Sequence, residues 1–172
     1  MIKILGFTMI LMGCTGYRIV YLLKLKERYR LLNRLKEVLE LFVTQIRFSN
    51  TTLPQCCYVA SVQMDDAMGE MFHRIYERTL ENRGMPFLQI LAEEVRAFLK
   101  PSALKIQDME AFLYFITAEG CVDEKSQVSH MEQGIYHLEK LAGKAEEEMR
   151  IKGKLAMWVS TLSGILIVIL LV

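Results

Sequence analysis

An all-α fold, a cytoplasmic helical bundle held between an N-terminal and a C-terminal transmembrane helix, is what this sequence predicts. Three observations carry it. Both ends of the 172-residue chain are apolar and almost free of charge. The polar middle repeats its apolar residues in threes and fours, the period of a helix with one buried face. Proline, glycine and short polar residues interrupt that repeat at helix-length intervals. The division is 1–23 as a first span, 24–154 as the helical domain and 155–172 as a second span.

Residues 155–172 read LAMWVSTLSGILIVILLV, without a charge. As a helix they cover about 27 Å, close to a hydrocarbon core of about 30 Å. The competing reading is a buried core helix, but a domain this small offers little protein to cover such a helix on every side. Trp158 stands about one turn in, where an interfacial ring and a packing residue both fit. Residues 1–23 are the weaker span, because Lys3 and Arg18 interrupt them. Arg18 lies near one end, where its methylenes can stay in the apolar layer while the guanidinium reaches the headgroups. Gly6, Gly13 and Gly16 form no Gly-xxx-Gly pair, so a close helix contact there is open.

The flanking charges set topology. Lys24, Lys26, Arg28 and Arg30 follow the first span, and Arg150, Lys152 and Lys154 precede the second, so residues 24–154 are expected in the cytoplasm. One alternative reverses this. Leu11-Met12-Gly13-Cys14 is similar to a lipoprotein processing box, and cleavage before Cys14 would place the domain outside; Met12 is atypical there, and the basic flank would have to translocate. Whether Cys14 is lipidated stays open.

Within the middle, Leu25, Leu32, Leu39 and Ile46 recur at sevens with Leu35 and Phe42 between them, and Leu31, Val38 and Val43 widen the stripe beyond a two-stranded seam. This helix should end near Asn50-Thr51-Thr52, with Pro54 opening a short helix to Gln63. Asp65 is the expected cap of a helix with Met68, Met71, Phe72, Ile75, Tyr76 and Leu80 on one face, broken at Gly84. A further helix after Pro86 uses Phe87, Ile90, Leu91, Val95 and Phe98 and stops before Lys100-Pro101. Ser102 to Ile116 is expected as another, with Leu104, Ile106, Met109, Phe112, Leu113 and Ile116, ended by Glu119-Gly120. The last soluble helix, capped by Asp123, carries Val128, Met131, Ile135, Leu138, Ala142, Ala145 and Met149. It should lie antiparallel to the first and run unbroken into the second span. Ala142 and Ala145 permit a close crossing there.

Chemistry is sparse. Only Lys3 and Arg18 of the 21 basic residues, and none of the 20 acidic ones, fall in the terminal segments, so the domain is nearly neutral and lacks the basic field that nucleic acid requires. His130 and His137 stand about 10.5 Å apart along one helix, too far to share a metal, and His73 is alone. Cys56, Cys57 and Cys121 have no paired zinc spacing; small core residues are the default. The runs Asp65-Asp66, Glu93-Glu94 and Glu146-Glu147-Glu148 fan around a helix instead of converging, with Lys144 and Glu148 as an i,i+4 pair. The eleven methionines fall mostly on spans and apolar faces, as core more readily than as a binding groove. No phosphate loop, nucleophile elbow or metal-peptidase motif occurs. Catalytic, cofactor-binding and metal residues are therefore none, and the chain is expected not to be an enzyme.

Order and short motifs together resemble the stage III sporulation protein AB family. The resemblance rests on the N-terminal span, LNRLKEVLELFVTQIRFSNTTLPQ at 32–55, FITAEGCVDEKSQVSHM at 115–131, and KGKLAMWVSTLSGILIVILLV at the end. Thr44-Gln45-Ile46 stands where the family usually has a Thr-Glu-Ile-like element, and Gly120-Cys121-Val122-Asp123 matches its later block loosely. The resemblance implies a non-enzymatic membrane platform or assembly component of the apparatus joining mother cell and forespore in endospore formation. It places the chain in the mother-cell membrane facing the forespore, with a soluble domain similar to the cytoplasmic domains of type II secretion platform proteins. The implied partners are a secretion-type sporulation ATPase, channel membrane proteins and the lipid bilayer, with no nucleic acid and no small-molecule substrate. Asp65, Asp66, Glu70, Glu93 and Glu94 are candidates for the ATPase contact. A membrane-anchored sensor or adaptor, possible as a processed lipoprotein, is the alternative.

Overall fold

The computed structural model describes the backbone of residues 2–81, 84–117 and 123–171, and the side chains of residues 20–81, 84–117 and 123–153. Both predicted spans therefore lie outside the described side chains, except for residues 20–23. Among the described residues no helix is long and apolar enough to cross a membrane. The Glu119-Gly120 terminator and Cys121 also fall outside the described residues.

The described fold is all-α, with α1 Ile2–Ser49, α2 Leu53–Gln63, α3 Ala67–Glu81, α4 Phe87–Leu99, α5 Ile106–Thr117 and α6 Glu124–Leu171. Each boundary has a local cause. Asn50 ends α1 in the left-handed region, φ 49°, a conformation that asparagine tolerates better than most residues. The Gln55 side-chain oxygen Oε1 accepts from both the amide and the hydroxyl of Thr52, tying down the start of α2. Asp66, not Asp65, caps α3: its Oδ1 accepts from the amides of Met68 at 3.0 Å and Gly69 at 3.2 Å. Asp65 carries no such bond because α3 begins at Ala67, which leaves the cap position to its neighbour. Asp123 caps α6 as expected, accepting from the Ser126 amide at 3.0 Å.

The expected helix from Ser102 starts later. Ser102 folds back on α4, its hydroxyl donating to the Leu99 carbonyl at 2.6 Å, and residues up to Lys105 form a turn before α5 opens at Ile106. Asp108 fixes that start, accepting from the Lys105 amide at 3.1 Å. As a result Ile106 is 76 % exposed instead of facing the core. Leu80, predicted on the buried face of α3, is likewise exposed.

The α1 and α6 pair organises everything else. Lys152 meets Tyr21, Glu148 lies beside Arg28, Gly134 packs over Leu39 and Glu132 pairs with Arg47, so the two helices run antiparallel in steady register. All the predicted heptad residues of α1 from Leu25 to Ile46 are buried, as are Val128, Met131, Leu138, Ala142 and Ala145 of α6. Each fully buried Leu, Val, Phe or Met removes apolar surface worth about 1.5–3 kcal/mol from water, so this seam dominates the core. The shorter helices alternate in direction along it. Phe72 of α3 packs its ring against Phe42 of α1 at 5.7 Å, and Arg34 of α1 holds Asp66 at the α2–α3 corner.

Two glycines bring backbones together. A Cβ on Gly69 would stand 1.9 Å from the Met64 carbonyl oxygen, and one on Gly134 would stand 2.5 Å from Phe115 Cβ. Both sites need the missing side chain for close approach, not for unusual dihedrals.

Candidate functional site

The base of the bundle is the end from which the N-terminal length of α1 and the C-terminal length of α6 emerge. There the structure assembles a cluster of charges that periodicity did not foresee. Arg28 occupies the core-facing position between Leu25 and Leu32 and is only 4 % exposed. Its Nε donates to Asp108 Oδ2 at 2.7 Å and its Nη2 to Asp108 Oδ1 at 3.0 Å, a two-pronged bond across 80 positions of sequence to a carboxylate that is 1 % exposed. The third nitrogen, Nη1, is buried without a hydrogen bond and lies 3.5 Å from Glu148 Oε2 on α6. The bond to Asp108 raises the guanidinium pKa above its ordinary value against the opposing effect of burial, so the cation is permanent.

Glu148 is the hub on the solvent side. Besides Arg28 it pairs with Lys105 Nζ at 3.3 Å and Lys152 Nζ at 3.9 Å, so the expected pairing with Lys144 gives way to Lys152 one turn further along α6 and to two cations from elsewhere in the fold. Lys152 also donates to the Tyr21 hydroxyl and lies over its ring at 5.1 Å from the centroid. One cluster thus ties α1, α6 and the α4–α5 turn. Arg28 and Asp108 were missed as a pair, yet one signal was legible: a charge at a position where the heptad of α1 calls for an apolar residue.

The five predicted contact carboxylates do not form one patch. Glu94 accepts from Arg78 Nη1 at 2.5 Å and lies 3.5 Å from Arg74 Nε, while Glu93 accepts from Arg78 Nη2 at 3.2 Å and from Gln89. These two clamp α4 to α3. Asp66 is engaged by Arg34 and the α3 amides; although burial pushes its carboxyl pKa up, those bonds prevail and hold it below the ordinary value. Asp65 and Glu70 remain exposed, lining an open groove at the α2–α3 corner with Ser61, Met64, His73 and Arg74.

The remaining candidates are structural. His73 pairs with Glu77 on its own helix, and His130 and His137 flank the Phe115 ring at 5.2 and 5.7 Å. Cys56 and Cys57 are fully buried in the core, and burial pushes the Cys56 thiol up to about 12 and the Cys57 thiol higher still, so both are inert near neutrality. Among the described residues no group of three His, Cys, Asp or Glu side chains could hold a metal.

Fold and clusters define an all-α scaffold protein whose described polar clusters hold helices to one another. Residues 3–172 match the family described as stage III sporulation protein AB, and the chain belongs to that family. Its role is accordingly a non-enzymatic one in the membrane-associated apparatus of sporulation. A solved structure titled stage III sporulation protein AB (SpoIIIAB) shares the fold, with a TM-score of 0.63 at 20% identity, over 72% of this chain and 97% of that one. No curated protein matches.

Proposed function

We propose that the chain is a two-span platform of the mother-cell membrane, its helical domain cytoplasmic, that couples a secretion-type ATPase of the sporulation apparatus to channel subunits. One observation carries the architecture. Because α1 and α6 are antiparallel along the whole bundle, the apolar segments 1–23 and 155–172 leave from the same end, as two anchors of one cytoplasmic domain require. The basic flanks on that end support the cytoplasmic assignment. Cys14 then lies within the first anchor and is retained.

For the ATPase contact, the α2–α3 corner replaces the earlier five-residue patch, since Asp65 and Glu70 are exposed there while Glu93 and Glu94 are spent on Arg74 and Arg78. Full-length chain in lipid nanodiscs, titrated with the ATPase at two salt concentrations, tests both parts. Wild type should bind, and Asp65→Lys with Glu70→Lys should weaken binding at low salt more than at high salt. No binding by wild type refutes direct coupling; unchanged affinity in the double variant moves the contact elsewhere.

A further inference from the structure

We infer that the α4–α5 turn is a third membrane contact, with Ile106 and Lys100 seated in the headgroup layer of the bilayer between the two anchors. The inference rests on reading 1–23 and 155–172 as spans. Neither motif nor hydropathy places the turn there, since Lys100 to Ile106 lie in the middle of the sequence; the ionic cluster does. Lys105 reaches Glu148 at 3.3 Å, and Asp108, two positions after Ile106, is bonded to Arg28 at 2.7 Å. At 1.5 Å per residue, Glu148 precedes Leu155 by about 10 Å of helix axis and Arg28 follows Leu23 by about 7.5 Å. The headgroup layer is itself about 5–7 Å deep on each side, so the turn lies at its edge and side-chain length covers the rest.

The chemistry at that level suits a membrane surface of anionic lipid. Ile106 is 76 % exposed, at the same end as Val20, Leu23 and Ile151, which are 54 %, 58 % and 48 % exposed. Lys24, Lys26, Arg30, Lys100 and Arg150 are exposed among them, beside Lys105, which pairs with Glu148. Of the acidic residues at this end, Asp108 is consumed by Arg28 and Glu148 by three cations, leaving Glu27, Glu146 and Glu147 to oppose the basic ring. Apolar side chains rimmed by an excess of lysine and arginine are what an anionic interface accommodates.

The single tryptophan makes the test separable. Full-length chain is reconstituted in vesicles of zwitterionic lipid, with and without anionic lipid, carrying bromine near the glycerol end of the acyl chains. Native Trp158 reports the second span. Ile106→Trp and, as a distal control, Phe48→Trp are each made in a Trp158→Phe background, with helicity checked by circular dichroism; both replaced side chains are exposed, at 76 % and 79 %. The Ile106→Trp reporter should lose about half its emission to bromolipid, the Phe48→Trp reporter almost none, given a layer only about 5–7 Å deep. Added Lys100→Glu should reduce the quenching in anionic vesicles towards the zwitterionic value. Equal, weak quenching of both reporters while Trp158 is quenched overturns the third contact and leaves the spans intact. Unquenched Trp158 overturns the span reading, and the inference with it. An Ile106→Trp reporter spared by bromolipid but shielded from aqueous acrylamide would put a second copy of the chain on the turn, and overturns it too.

Discussion

Asp108→Ala should be among the most damaging single substitutions in the domain. It removes both acceptors of Arg28 and the acceptor of the Lys105 amide, leaving a guanidinium that is 4 % exposed with only Glu148, at 3.5 Å and without a hydrogen bond. Breaking a buried pair from one side costs about 3–5 kcal/mol, because the surviving charge stays desolvated. Loss of the turn bond adds about 1 kcal/mol. For a domain of this size each kcal/mol lowers Tm by roughly 3–6 °C, so a fall on the order of 10–35 °C is expected. Replacing both partners, Arg28→Met with Asp108→Leu, removes the charge and fills the space with apolar side chains. It should recover most of the loss, since apolar substitutes for buried ion pairs are often neutral or stabilising by about 1–4 kcal/mol. The measurement is thermal melting of the full-length chain in one detergent, followed by circular dichroism at 222 nm. An unchanged Tm for Asp108→Ala would show that the pair is hydrated and the base open. A double variant as damaged as the single one would show that the charges themselves hold the three elements together.

Two further outcomes follow from close packing and from titration. Gly69→Ala and Gly134→Ala each gain up to about 1 kcal/mol of helix propensity, yet both should destabilise in a denaturant titration. Gly69→Ala should be the worse, because its Cβ meets the Met64 backbone oxygen at 1.9 Å whereas Gly134 meets side-chain atoms, and Phe115→Ala should relieve the second only in part, since alanine keeps the Cβ that stands 2.5 Å away. For Asp66, a carboxyl held below 3.8 in the folded state contributes stability above that pH and loses it as pH falls through the folded value. Asp66→Asn keeps the capping oxygen and abolishes the titration, so its melting temperature should fall less than that of wild type between neutrality and acid below pH 3.8. Identical pH profiles would refute the Arg34–Asp66 linkage.

The sequence by itself determined the helices and the pair that organises them. A heptad stripe survives as a core because its residues are fixed by a local period of 3.6, and both stripes, from Leu25 to Ile46 and from Val128 to Ala145, are buried where that period puts them except for the half-buried Leu31 and Ile135. Caps built within four residues, such as Asp123 with Ser126, were legible for the same reason, while choosing between Asp65 and Asp66 depended on where α3 begins. What only tertiary structure decided are the partners of charges. Arg28 and Asp108 are 80 positions apart, and Lys105 and Glu148 are 43 apart, so no spacing rule relates them. Whether Glu94 faces a partner protein or Arg78 depends on how α4 lies against α3. The exposure of Ile106 likewise depended on a serine folding back on Leu99 and delaying a helix, a competition between turn and helix that hydropathy does not register.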